Sequence, residues 1–144
     1  MNGSRKDELS LHMRLPAEKC YLANAILTLE GICDHFSVSD TSRSRALSAL
    51  ETALTGSIDL SYQDTPGLFD LKFSVFKDKL QITVEDFMLD ENANQAKAEE
   101  QESIEQKLRD KLSSVVNLTD GFRLFRESGR NSCYSMQFNL IMVE

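Results

Sequence analysis

The stretch Phe69-Asp-Leu-Lys-Phe-Ser-Val75, with Leu80-Gln-Ile-Thr-Val84 a few residues after it, decides the fold of this chain. Apolar and polar residues alternate in both runs, which predicts two β-strands that each bury one face. The charged segment Lys77-Asp-Lys79 between them predicts a turn, so the two strands are expected to form a hairpin. A sheet with one apolar face needs a second layer of structure to cover that face.

The chain before the hairpin predicts one strand and two helices. Apolar residues from Leu9 to Leu15 alternate with polar ones and Pro16 ends the run, as expected for a half-buried strand. Two apolar stripes with helical spacing follow; they are Leu22, Ile26, Leu29, Cys33 and Phe36, and then Ala46, Leu50, Ala53, Leu54 and Ile58. Ser39, Asp40 or Thr41 can cap the second helix. Residues 63–67 carry a strong turn signal.

The chain after the hairpin predicts a third helix and a second pair of strands. Residues 90–105 are polar and begin without apolar periodicity, so they form either a mobile segment or an exposed helix. An apolar stripe then predicts a helix that docks on the core; it consists of Ile104, Leu108, Leu112 and Val115. The last two strands are expected at residues 122–125 and 133–143, joined by a turn at residues 127–131.

The resulting order, β-α-α-β-β-α-β-β, predicts an α/β protein of the α+β type. The simplest architecture is a two-layer sandwich. Three helices cover one face of a mixed, mostly antiparallel sheet, and the other face is polar and largely solvated. A chain of 144 residues fits a single domain, here residues 1–144, with residues 1–8 as a flexible N-terminus.

Composition and charge narrow the classes of partner. The formal net charge is −7 and the pI is about 4.9, so a nucleic-acid backbone or an anionic membrane would be repelled. The expected partner is a protein with a basic surface. The polar N-terminus carries no signal sequence and no apolar stretch is long enough to span a bilayer, which predicts a cytoplasmic protein. Three widely spaced cysteines, Cys20, Cys33 and Cys133, are expected to stay reduced.

Four local features accompany the element order. Leu15-Pro16 ends the opening strand ahead of a long helix, and Ala46–Ile58 forms the second helix. Leu80-Gln-Ile-Thr-Val-Glu-Asp86 is a strand that ends in a carboxylate, and Leu112–Asp120 leads into the last strands. Together these features resemble the histidine-kinase-like (Bergerat-type) ATPase fold, and most of all the bacterial anti-sigma-factor serine kinases of partner-switching systems. The resemblance covers Leu9 to Val143.

The resemblance assigns expected roles to three residues. In that family the helix corresponding to residues 46–58 carries a Glu and, four residues later, an Asn. The resemblance implies that Glu51 is the catalytic base and that Thr55, at the Asn position, contacts the cofactor and ligates Mg²⁺. It also implies that Asp86 is the residue that reads adenine, because the family has this Asp in an Asp-x-Gly-x-Gly loop.

The glycines that this family uses to bring its backbone close to phosphates are absent. Met88 and Asp90 stand at two of these positions, and the family's second glycine motif, expected ahead of the helix at Leu108–Val116, falls around Gln106-Lys107-Leu108. The whole range between Gly67 and Gly121 contains neither glycine nor proline. Phosphate-binding loops need glycine in order to turn and to approach the anion. The resemblance therefore implies a degenerate ATP site, with residues 90–105 as a remodelled lid.

Three functions remain open from the sequence. The first is a regulatory domain that resembles an anti-sigma factor, binds a sigma factor or an antagonist-type domain, and needs no cofactor. The second is an active serine/threonine protein kinase that uses ATP and Mg²⁺ to phosphorylate an antagonist protein. The third is a structural subunit that pairs through its sheet edge or its lid, since members of the family often form homodimers.

Each of the three site residues also has an ordinary structural interpretation. Glu51 can be a solvated carboxylate on the flank of a helix. Asp86 can be a turn residue at the end of a strand, where Asp is common. Thr55, followed by Gly56, can mark a point of loose helix packing.

Overall fold

A computed structural model of the chain describes residues 8–62, 66–88, 98–125 and 132–143. Five strands and three α-helices follow one another in the predicted order, with a short 3₁₀ turn at Lys19–Tyr21. The strands are β1 (Glu8–Pro16), β2 (Gly67–Phe76), β3 (Lys79–Met88), β4 (Gly121–Phe125) and β5 (Ser132–Asn139). The helices are α1 (Leu22–His35), α2 (Asp40–Ser61) and α3 (Ala98–Val116).

The five strands form one sheet in the order β1-β2-β3-β5-β4. All four pairings between these strands are antiparallel, so the sheet is not the mixed one that the sequence predicts. The reason lies in the connections. Two hairpins supply two of the pairs, and α3 carries the chain beyond β3, so that β5 returns in the antiparallel direction between β3 and β4. The α+β class and the three helices are as predicted.

The apolar patterns of the sequence become the core between helices and sheet. Ser39 caps α2, since its side-chain oxygen accepts a hydrogen bond from the Ser42 N–H at 3.3 Å. The five predicted stripe residues of α2, from Ala46 to Ile58, are all buried. Apolar residues of β2, β3 and β5 face them; these are Phe69, Leu71, Phe73, Val75, Leu80, Ile82, Val84, Tyr134, Met136 and Phe138.

The opposite face of the sheet carries polar side chains, several of which are paired. Arg14 donates to both carboxylate oxygens of Asp70, from Nε at 2.6 Å and from Nη2 at 2.9 Å. Gln81 donates to the Ser135 hydroxyl at 3.2 Å. Asp70 and Ser135 are buried, so this face is polar as predicted but not solvated throughout.

The last strand is shorter than the predicted 133–143. β5 ends at Asn139, and residues 140–143 leave the sheet to pair with the loop after α1. Ser39 N–H donates to the Ile141 carbonyl and Val143 N–H donates to the Ser37 carbonyl, both at 2.7 Å. The apolar alternation of the sequence continues past Asn139 although β5 has ended. There the segment is held by an isolated antiparallel β-bridge between Met142 and Val38.

Several predicted features fall partly or wholly outside the described residues. These are the flexible N-terminus apart from Glu8, most of the turn at residues 63–67, Asp90 with the first part of the predicted lid, and the turn at residues 127–131. Within the predicted lid, residues 98–105 are helical. None of the helices in the described part of the chain combines the length and the apolar composition needed to cross a bilayer.

Candidate functional site

Asp86 lies inside the molecule, on the helix-covered face of β3. It continues the alternation of Leu80, Ile82 and Val84, and it is only 1% exposed. Its neighbours in register are Phe69 of β2 and Ser132 of β5. The ordinary structural interpretation makes Asp86 a turn residue at the end of a strand. The strand extends to Met88, so Asp86 is not in a turn. A carboxyl group in such a place requires hydrogen-bond donors.

Tyr62 supplies one of those donors. Its hydroxyl donates to Asp86 Oδ1 at 2.8 Å, and the tyrosine is itself 4% exposed. Tyr62 caps the C-terminal end of α2, one helical turn after Ile58, so the buried stripe of α2 carries its ring to the sheet. The ring also meets Phe69 edge to face, with 6.1 Å between the ring centroids.

Gly67 leaves the space that the Tyr62 ring fills. A Cβ atom at position 67 would lie 2.1 Å from Cε1 and 2.2 Å from Cδ1 of Tyr62. Real Cβ atoms do not approach other heavy atoms so closely. The glycine at the start of β2 therefore allows the phenol to reach Asp86. We call Tyr62, Gly67 and Asp86 the closed cluster.

A second buried phenol lies beside this cluster. Tyr134 Oη is 3.4 Å from Ser57 Oγ, and the Ser57 hydroxyl donates to the Ala53 carbonyl at 3.1 Å. Because that bond uses the serine proton, Tyr134 is the donor to Ser57. Burial raises the pKa of Tyr134 well above its usual range. The hydrogen bond between Tyr134 and Ser57 opposes this rise in pKa, and the nearby charge of Asp86 adds to it.

Glu51 and Thr55 lie together on a different surface. They line an open cleft of about 380 Å³ between α2 and α3, with Thr52, Gly56, Asp59 and Lys111. Glu51 is exposed, Thr55 is half-buried, and the described residues give Glu51 no ion pair. Asp59 pairs with Lys19 at 3.0 Å and with Lys111 at 3.9 Å. We call this surface the α2–α3 cleft.

The structure thus separates residues that the sequence places in one site. Glu51 and Thr55 share the α2–α3 cleft, as their spacing of four on a helix requires, but Asp86 does not line it. Gly56 is buried against α3, where an added Cβ would meet Lys111 Cβ at an ordinary 3.7 Å. A Cβ atom could therefore be accommodated at Gly56 without displacing Lys111.

Two of the three positions that correspond to loop glycines, Met88 and Lys107, are among the described residues, and both lie in regular secondary structure. Met88 is part of β3, with its backbone in register with Gly67. Gln106, Lys107 and Leu108 lie within α3. N–H groups in the middle of a helix are bonded to carbonyls one turn earlier and are not available to an anion. The described residues also contain no group of three or more His, Cys, Asp or Glu side chains placed to hold a metal ion.

Comparison with known proteins adds no identification. No family model matches the chain, and no curated protein matches it with significant similarity.

The sequence analysis missed Tyr62, Ser57 and Gly67 as parts of the site. A signal for Tyr62 was present, because it lies four residues after Ile58 and so extends the apolar stripe of α2. Asp86 carries a similar signal. It lies two residues after Val84 in the alternation of the strand, so it must face the core as Ile82 and Val84 do. Ser57 and Gly67 give no such signal, because their roles depend on contacts across the fold.

Proposed function

We propose that this chain is a regulatory protein-binding domain that resembles the anti-sigma factors of bacterial partner-switching systems. It acts in the cytoplasm by contact with a sigma factor or an antagonist-type domain. It adopts the histidine-kinase-like ATPase fold without using that fold to turn over ATP. The α+β sandwich, with its three helices and antiparallel sheet, is compatible with this fold.

One observation carries the proposal: the carboxylate of Asp86 already accepts a hydrogen bond from another residue of the same chain. The resemblance makes Asp86 the acceptor for the amino group of adenine. In this chain it accepts the Tyr62 hydroxyl at 2.8 Å and is 1% exposed. A base could reach this carboxylate only after displacing a buried tyrosine, and that displacement would expose the core contact with Phe69.

The backbone at the two described glycine positions, Met88 and Lys107, supports the same conclusion. β3 continues as a paired strand through Met88, and α3 runs without interruption through Lys107. Neither segment offers the turned backbone with free N–H groups that cradles a phosphate. The described residues at these positions therefore do not fit a bound nucleoside triphosphate.

The charge of the chain indicates the chemistry of its partner. With a net charge of −7, the domain would attract a protein with a basic surface and would associate faster at low ionic strength. The same net charge would repel nucleic acid and anionic membranes overall.

A co-purification experiment in the native cell tests this function. The full chain and its Glu51→Gln variant are tagged, and bound proteins are identified with and without added Mg-ATP. We expect the same sigma factor or antagonist-type protein in all four samples, because recognition does not depend on nucleotide. A partner that is released by Mg-ATP, or lost with Glu51→Gln, would contradict the proposal.

A serine/threonine kinase is the second candidate, and the α2–α3 cleft favours it. Glu51 and Thr55 face a common opening with Lys111 at its border, and an exposed carboxylate beside an open cleft is accessible to a substrate hydroxyl. Incubation of the chain with labelled ATP and the co-purified partner separates the two functions. Transfer of label to a serine of that partner, lost with Glu51→Gln, would establish the kinase.

A further inference from the structure

A cavity of about 440 Å³ opens on the polar face of the sheet, across β2, β3 and β5. Its volume lies within the range of cavities that hold small molecules. We call it the polar-face cavity. Two neighbouring rows of cross-strand partners line it, and these are Ser74, Gln81 and Gln137, and then Phe76, Lys79 and Asn139.

Phe76 gives this cavity an apolar surface at a position where the alternation of β2 calls for a polar residue. It shares its face of the strand with Asp70, Lys72 and Ser74, and it is 56% exposed. Lys77 Nζ lies over the Phe76 ring, 5.4 Å from the ring centroid, but Lys77 does not line the cavity. The ring therefore keeps exposed surface on which the flat apolar side of a ligand can stack.

The amide side chains of the cavity offer both donors and acceptors. Gln81 uses one N–H for the Ser135 hydroxyl at 3.2 Å and keeps its second N–H and its carbonyl oxygen for a ligand. Within the described part of the chain, the side-chain amides of Gln137 and Asn139 have no hydrogen-bond partner. Groups that both donate and accept are suited to the hydroxyls of a ligand, because a hydroxyl also does both.

Gly121 leaves the space in which the Gln137 amide lies. The two residues are neighbours in the register of β4 and β5, and a Cβ atom at position 121 would lie only 3.0 Å from Gln137 Oε1. The amide is thus placed beside the cavity by the fold itself. A group that is already in place loses less conformational entropy when a ligand binds.

Lys79 supplies the uncompensated charge of the cavity. None of the described carboxylates forms an ion pair with it. Asp120 also lines the cavity, but its carboxylate accepts the Asn139 N–H at 2.7 Å and an Arg45 N–H at 3.3 Å. The charge that remains available to a ligand is therefore positive, and an ammonium group pairs well with a carboxylate.

We propose that the polar-face cavity binds a sugar ring that carries a carboxylate, the chemistry of a uronic acid. The apolar side of the ring lies on Phe76, its hydroxyls bond to the amides of Gln81 and Gln137, and its carboxylate pairs with Lys79. This site does not depend on the proposed function, because it shares no residue with the closed cluster or the α2–α3 cleft.

An NMR titration of the full chain with methyl glucuronide and methyl glucoside tests the site. The two probes share the locked ring and differ in one group, which is a carboxylate in the first and a hydroxymethyl in the second. We expect the glucuronide to give saturable shifts in the amide signals of residues 74–81 and 137–139, with a dissociation constant of about 1 mM for a ligand of this size. The glucoside should bind about threefold more weakly. Absence of saturable shifts at these residues, or equal binding of the two probes, would overturn the proposal.

Substitutions in the same titration test the role of each group. Lys79→Gln should abolish the preference for the glucuronide. Lys72→Gln is the matched control and should retain it, because Lys72 lies on the same face of the sheet but does not line the cavity. Phe76→Ser replaces an exposed ring and should weaken both probes at least about threefold. Loss of the preference with Lys72→Gln, its retention with Lys79→Gln, or unchanged binding by Phe76→Ser would contradict the assignment.

Discussion

The closed cluster and the α2–α3 cleft differ in almost every property that decides whether a ligand can bind. In the closed cluster, Asp86 is buried and accepts the Tyr62 phenol. In the cleft, Glu51 is exposed. The same helix, α2, supplies Tyr62 to the first and Glu51 to the second. The difference teaches that one helix can help to form both a closed, buried contact and an open cleft, depending on which of its faces the rest of the fold covers.

Removal of the two carboxyl groups should affect the stability of the chain to very different extents. Asp86→Ala leaves the buried Tyr62 hydroxyl without this acceptor, so the free energy of unfolding should fall by about 3 kcal/mol. Glu51→Ala removes an exposed group and should change it by less than about 0.5 kcal/mol. Urea unfolding of both variants measures the difference. Equal effects of the two substitutions would show that Asp86 and Glu51 do not differ as described.

Gly67→Ala should disrupt the closed cluster by displacing the Tyr62 ring. The new Cβ would lie 2.1 Å from the Tyr62 ring, so the ring must move, and the expected loss is about 2 kcal/mol of unfolding free energy. Gly31→Ala is the control, because a Cβ there meets nothing within 4 Å. Gly31 lies in α1, where alanine should stabilise the chain by about 0.5–1 kcal/mol. Thermal unfolding that gave the two variants shifts of the same sign would contradict this account.

Tyr62→Phe should isolate the hydrogen bond from the packing of the ring. It keeps the contact with Phe69 and removes only the hydroxyl, so the expected loss is about 1–2 kcal/mol. Tyr21→Phe is the matched control, since Tyr21 is 38% exposed and its hydroxyl is accessible to water. If chemical denaturation found both variants as stable as the wild type, the bond to Asp86 would contribute nothing.

Alkaline pH should act on the buried phenol beside the cluster. The folded state raises the pKa of Tyr134, whereas an unfolded tyrosine loses its proton near pH 10. Stability from this group is therefore full below about pH 10 and falls as the pH rises above it. The difference in unfolding free energy between wild type and Tyr134→Phe should shrink between about pH 9 and pH 11. A difference that stays constant over this range would contradict the assignment.

The elements of the fold could be predicted because their signals are local. The alternation in β2 and β3 and the apolar stripe of α2 predict which faces are buried, and the Ser39 cap was one of three predicted positions. The prediction of a mixed sheet was wrong, because the position of β5 between β3 and β4 depends on a long connection. Local patterns do not determine how such a connection crosses the sheet.

The candidate site could be predicted only in part. The pairing of Glu51 with Thr55 follows from helical spacing, and both do share the α2–α3 cleft. The contact between Tyr62 and Asp86 joins residues 24 apart in the sequence. It also depends on the space that Gly67 leaves. Such a contact depends on the packing of α2 against the sheet, and no short motif contains that information.

Isothermal titration calorimetry of Mg-ATP into the full chain tests the central claim most directly. The account predicts no binding heat up to millimolar nucleotide, because Tyr62 already donates to Asp86 and because Met88 and Lys107, the two described glycine positions, lie in a strand and a helix. Binding with a micromolar dissociation constant that is lost with Asp86→Asn would contradict it.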